Sequence, residues 1–65
     1  MPPKIRELIA DLERAGFRNR GGRGSHRNYI HTDSGARVTV SGNLGDDADR
    51  YKVHKVRRAI EESKR

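Results

Sequence analysis

Between Pro3 and Ala15 the apolar residues Ile5, Leu8, Ile9, Leu12 and Ala15 recur at spacings of three and four, which sets them along one stripe of a helix. The stripe constrains the fold more than any other feature, because the chain has little else to bury. Its 65 residues hold four Val, four Ile, three Leu and one Phe, with two Tyr and no Trp. So poor an apolar content, with a net charge of +6, ordinarily marks disorder. The periodicity argues instead for one small core and a single domain over residues 1–65. Prolines suit the first turn of the predicted helix, Gly16 suits a left-handed C-cap, and Phe17 is placed to fold back on the helix end. The opposite face, with Arg6, Glu7, Asp11, Glu13 and Arg14, is expected to meet solvent or a partner.

Beyond Phe17 a short strand leads into Gly21-Gly22-Arg23-Gly24, where glycines permit positive φ and close backbone approach. Ser25 to His31 and Arg37 to Ser41 are predicted as strands around the turn Thr32-Asp33-Ser34-Gly35. In the second of these Val38 and Val40 alternate with Arg37, Thr39 and Ser41, the pattern of a sheet with one dry face. A polar loop over Gly42 to Ala48 follows, then a helix to about Ser63, capped by Asp47 or Asp49 and striped by Val53, Val56 and Ile60. The expected fold is α+β: helix, three antiparallel strands and helix, with both helices on one face of the sheet.

Charge and cysteine usage narrow the function. Fifteen Lys and Arg against nine Asp and Glu create a field that attracts polyanions. With no Cys there are no disulfides, thiolate nucleophiles or cysteine zinc sites. No apolar run approaches the roughly 20 residues that span a bilayer. The Met1-Pro2-Pro3-Lys4 start lacks the apolar core of a signal peptide, so a cytoplasmic protein is expected, without contact to membranes.

The segment from Gly21 to Tyr29 joins a flexible glycine loop to one imidazole, His26, between two guanidinium groups, Arg23 and Arg27. Backbone N–H groups of such a loop and a guanidinium both match phosphate oxygens. Cationic neighbours favour a neutral imidazole able to accept a proton. Beside RNA that proton can come from a 2′-hydroxyl, which then attacks its own phosphate, so one base and a cationic clamp cut the strand without metal. A single general base contributes about 10²–10⁴-fold, and clamping the transition-state phosphate must supply much of the remainder. The bland alternative is that His26 merely opens a strand on a basic surface.

Gly24-Ser25-His26, preceded by a helix ending in Ala15-Gly16-Phe17 and followed by Tyr29 and a hairpin, resembles the HicA toxin family over essentially the whole chain. The resemblance implies a fold like that of the double-stranded-RNA-binding domain. It further implies an mRNA endonuclease of a bacterial toxin–antitoxin module, with the single catalytic His falling on His26, no cofactor and a HicB-type antitoxin as partner. Arg27 and Asn28 follow His26 where many members carry another His or an apolar residue.

Expected RNA and phosphate contacts are Arg23, Gly24, Ser25 and Arg27 around His26, and Lys52, Lys55 and Arg58 along the final helix. His31 and His54 are candidates for a second acid–base group, but each is read as ordinary surface, His31 facing away from whatever Ile30 buries. Asp46, Asp47 and Asp49 are read as helix-capping residues and not as a metal site. Tyr29 and Tyr51 are divided between the core and stacking on bases. A non-catalytic double-stranded-RNA-binding module is the competing reading. A DNA-binding accessory protein is disfavoured by the glycine loop and the lack of a helix-turn-helix pattern.

Overall fold

A computed structural model describes residues 1–65. Helix α1 spans Ile5–Arg14 and buries Ile5, Leu8, Ile9 and Leu12, the predicted stripe. It starts two residues later than the prolines suggested. Pro3 and Lys4 are held extended, because the Pro3 carbonyl accepts from Ala48 N–H at 2.8 Å and Lys4 bridges to Asp47. Glu7 accepts from Lys4 N–H at 2.6 Å, while Ile5 and Arg6 N–H donate to the carbonyls of Asp46 and Leu44. The 43–48 loop thus supplies acceptors that a helix start otherwise lacks.

The end of α1 follows the expected course. Gly16 has φ +95°, Gly16 N–H donates to the Glu13 carbonyl and Phe17 N–H to the Leu12 carbonyl, which is the Schellman arrangement. It turns Phe17 back into the core, where it is 3 % exposed.

Three short strands follow: β1 (Arg18–Asn19), β2 (Arg27–Ile30) and β3 (Arg37–Val40), antiparallel in the order β1-β2-β3. The last two are shorter than predicted. His26 N–H is used by a turn and closes on the Arg23 carbonyl at 2.9 Å, and His31 belongs to the next turn. The register pairs Tyr29 with Val38 and Arg27 with Val40 on the covered face. Asn28 with Thr39 and Ile30 with Arg37 lie on the open face. Helix α2 (Arg50–Ser63) packs on β3 and α1 from the same side as α1, with Asp49 Oδ1 accepting from Lys52 N–H at 2.8 Å as its cap. Its buried centre is Val56 and Ala59, with Val53 and Ile60 at the margin.

The core therefore joins α1, Phe17, Tyr29, Val38, Val40, Ala48, Val56 and Ala59. Leu12→Ala removes a fully buried side chain at a cost of about 2–5 kcal/mol. A core this small supplies about 3–5 kcal/mol in total. The variant is accordingly expected to be largely unfolded in water at room temperature, checked by a urea titration followed by circular dichroism.

Burial raises the Tyr29 hydroxyl pKa and nearby Glu13 adds to the rise, against a hydrogen bond from Asn19 and the Arg27 charge. The unfolded chain releases this proton near pH 10, before the folded chain does, so this contribution to stability is full below about pH 10 and declines above it. Tyr29→Phe should flatten that alkaline decline, read as the urea midpoint at about pH 9 against about pH 11.

Candidate active site

The link from β1 to β2 is built on the absence of side chains. Arg20 N–H donates to the Asn28 carbonyl and Asn28 N–H to the Gly21 carbonyl, so the ladder runs past β1 before the loop opens. Asn19 Oδ1 accepts from Gly21 N–H at 2.7 Å and starts the bend. At Gly22 the backbone crosses the carbonyl of His26 so closely that a Cβ would lie 1.9 Å from that oxygen. Gly24, at φ +58°, then opens the hydrogen-bonded turn Arg23–His26, with the positive φ at its first central residue typical of a type II′ turn.

Two consequences concern chemistry. Arg23, Gly24 and His26 are exposed, with Ser25 half-buried beside them. The N–H groups of Gly22, Arg23, Gly24 and Ser25 donate to no acceptor in the chain, leaving four successive donors free around the turn. Unpaired main-chain N–H groups in a turn are available to an anion.

Arg27 lies below this loop on the covered face of the sheet. Its Nη1 donates to the Ser25 carbonyl at 3.0 Å and to the Gly42 carbonyl at 2.9 Å, tying the glycine loop to the β3–α2 connection. Residue order gave no sign of that brace, since Gly42 is fifteen positions away. Lys52 also approaches there, its Nζ 3.5 Å from where a Gly42 Cβ would stand. Arg27 and Lys52 therefore meet at Gly42, next to Ser25.

The other helix cations lie toward the sheet edge. Lys55 lines a groove along the sheet and shares a neighbouring hollow with Arg58, which reaches Glu62 at 3.5 Å. Residues three apart drift by about 60° per step around a helix, so Lys52 turns toward Gly42 while Lys55 and Arg58 share the hollow beside Arg37.

His31 is not ordinary surface. Its ring packs on Phe17 with centroids 5.4 Å apart and stands 3.2 Å from where a Gly16 Cβ would be, while Nδ1 lies 2.9 Å from Ser34 Oγ. It does face away from Ile30, but Ile30 is the residue on the open side and Tyr29 the one in the core. His31 and His26 flank opposite ends of β2, with Arg27–Ile30 between them, about 13 Å of strand. The two imidazoles are not brought together. His54 is exposed on α2. Asp49 caps that helix, Asp47 pairs with Lys4 at 2.6 Å and Asp46 accepts from Asn43 N–H at 3.3 Å, so each carboxylate has its own local partner. Of the tyrosines, Tyr29 is core and Tyr51 is exposed beside Lys55.

The fold is that of a small basic α-β-β-β-α domain, and it sets the exposed imidazole of His26 next to four free N–H donors. A family model described as the HicA toxin of bacterial toxin-antitoxin matches residues 5–61, and this chain belongs to the HicA toxin family. Its members are the toxins of type II toxin–antitoxin modules, which pair with an antitoxin of the HicB type. No curated protein matches the chain significantly. No helix is long and apolar enough to cross a membrane.

Because the obstacle at Gly22 is main chain, Gly22→Ala must displace the start of β2. It is expected to cost about 1–3 kcal/mol and to shift the amide resonances of His26 and Arg27. Gly24→Ala, where a Cβ meets nothing, should carry only the smaller strain of its positive φ. Paired two-dimensional NMR spectra and urea titrations check both.

Proposed function

We propose that the protein is a metal-independent endoribonuclease that cuts mRNA with His26 as its single catalytic imidazole. The observation that carries this reading is the exposed His26 ending a turn whose four preceding N–H groups are free. A phosphodiester seated on those donors, with Arg23 beside it, brings the adjacent ribose 2′-hydroxyl toward the imidazole.

His26 takes the 2′-hydroxyl proton, O2′ attacks phosphorus and the P–O5′ bond breaks. The products are a 2′,3′-cyclic phosphate and a free 5′-hydroxyl, with the imidazolium returning its proton to the departing O5′. The free N–H groups and Arg23 stabilise charge on the pentavalent phosphate, the larger share of the acceleration. Gly24 and Ser25 contribute backbone donors, and Arg27 acts as a positioning residue by fixing the Ser25 carbonyl. Lys52 adds positive field next to Ser25, while Lys55 and Arg58 draw RNA to the helix side. A HicB-type antitoxin covering this surface would silence it, and the cytoplasm is where both mRNA and such a partner reside.

His26→Ala should lower cleavage of single-stranded RNA by at least about 10²-fold with EDTA present, read by gel electrophoresis. RNA carrying deoxyribose at the cut position should resist the unmodified protein. Equal cleavage by both proteins would remove His26 from the chemistry. Duplex binding without cleavage by either would leave a non-catalytic double-stranded-RNA-binding module.

A further inference from the structure

The open face of the sheet holds a groove of which only Lys55 has a role above. It has a volume of about 680 Å³ and is floored by β2 and β3, with Arg20 on one side and Lys55 of α2 on the other. Arg37 stands on its floor beside Asn28, Ile30 and Thr39, and no carboxylate lines it. Three cations without a counter-charge around one concave surface concentrate positive potential there. A smaller hollow of about 230 Å³ shares Arg37 and Lys55 and adjoins the groove, its far side closed by the Arg58–Glu62 ion pair.

Thr39 Oγ1 donates to Asn28 Oδ1 at 2.8 Å across the two strands. That bond turns the Asn28 amide so that its NH₂ group keeps donors for an incoming acceptor. Strand alternation sets Asn28 and Ile30 on this face, and exposed His26 lies two residues before Asn28, at the end of the turn that leads into β2. At the rim, exposed Tyr51 holds Lys55 Nζ 5.4 Å from its ring centroid, an aromatic face beside a cation.

The geometry points to this groove as the track of a single-stranded RNA. Phosphates lie on Arg20, Arg37 and Lys55, the Asn28 amide donates to the strand, and the RNA leads along β2 to His26. The inference rests on the ribonuclease reading for its choice of RNA and adds where the substrate lies beyond the cut. Charge complementarity favours this occupant. Tyr29 also lines the groove, but it is buried in the core and offers no ring for stacking, so binding there is governed by phosphate charge more than by base identity and falls steeply with salt.

The test separates holding from cutting. In a His26→Ala background, binding of a short fluorescein-labelled single-stranded RNA is followed by anisotropy as salt is varied. Adding Arg37→Ala with Lys55→Ala should weaken binding about tenfold and flatten the salt dependence by about 1.4, or about 0.7 for each phosphate that is no longer neutralised. Arg57→Ala removes one charge from the α2 flank outside the groove and should change affinity by less than about twofold.

A double variant that binds no worse than Arg57→Ala overturns the groove, as does displacement of the RNA by polyglutamate at equal charge, which would assign the surface to an acidic protein. Cleavage is measured separately with His26 intact. Cleavage with an unchanged KM in the Arg37 and Lys55 variant would sink the track and leave the His26 chemistry standing. Groove-dependent binding with no cleavage by any form supports the track and removes the nuclease. RNA bound by no form of the protein overturns both.

Discussion

So few large apolar side chains can dry only one face of a sheet, and most of the architecture follows from that shortage. Tyr29, Val38 and Val40 are spent against the two helices, with Phe17 folded in from the helix end. Ile30 alone is left for the reverse side, too little to cover it. Asn28, Thr39, Arg37 and Arg20 consequently meet solvent there, and glycines link β1 to β2.

The division between what residue order revealed and what it concealed runs along the same lines. The α1 stripe, the Gly16 cap and the inward valines of β3 were legible because each is a local periodic or conformational signal. Tyr29 was harder. Reading Ile30 as the buried residue inverted the two faces of β2, and with them the setting of His31, because a four-residue strand offers too few alternations to fix its own parity. The helix start was misread for a related reason: Pro3 and Lys4 answer to the loop at 43–48, far along the chain.

At the candidate site the tripeptide Gly24-Ser25-His26 was visible, whereas its support was not. Arg27 looked like a phosphate ligand beside an imidazole, yet its Nη1 bridges two carbonyls brought together only by folding. Arg20 and Arg37 gave no signal at all, since they become neighbours through strand register and not through spacing. Of the regularly spaced Lys52, Lys55 and Arg58, the last two share one hollow beside Arg37 while Lys52 turns toward Gly42.

The crossing of Gly22 over the His26 carbonyl bears on how such a chain can change over generations. A crowded side chain elsewhere can be relieved by shrinking its neighbour, but here the neighbour is an oxygen that every amino acid carries. No compensating substitution at residue 26 removes it. A genetic selection for inactive versions of this protein would therefore recover substitutions at position 22, and reversion there would have to restore glycine.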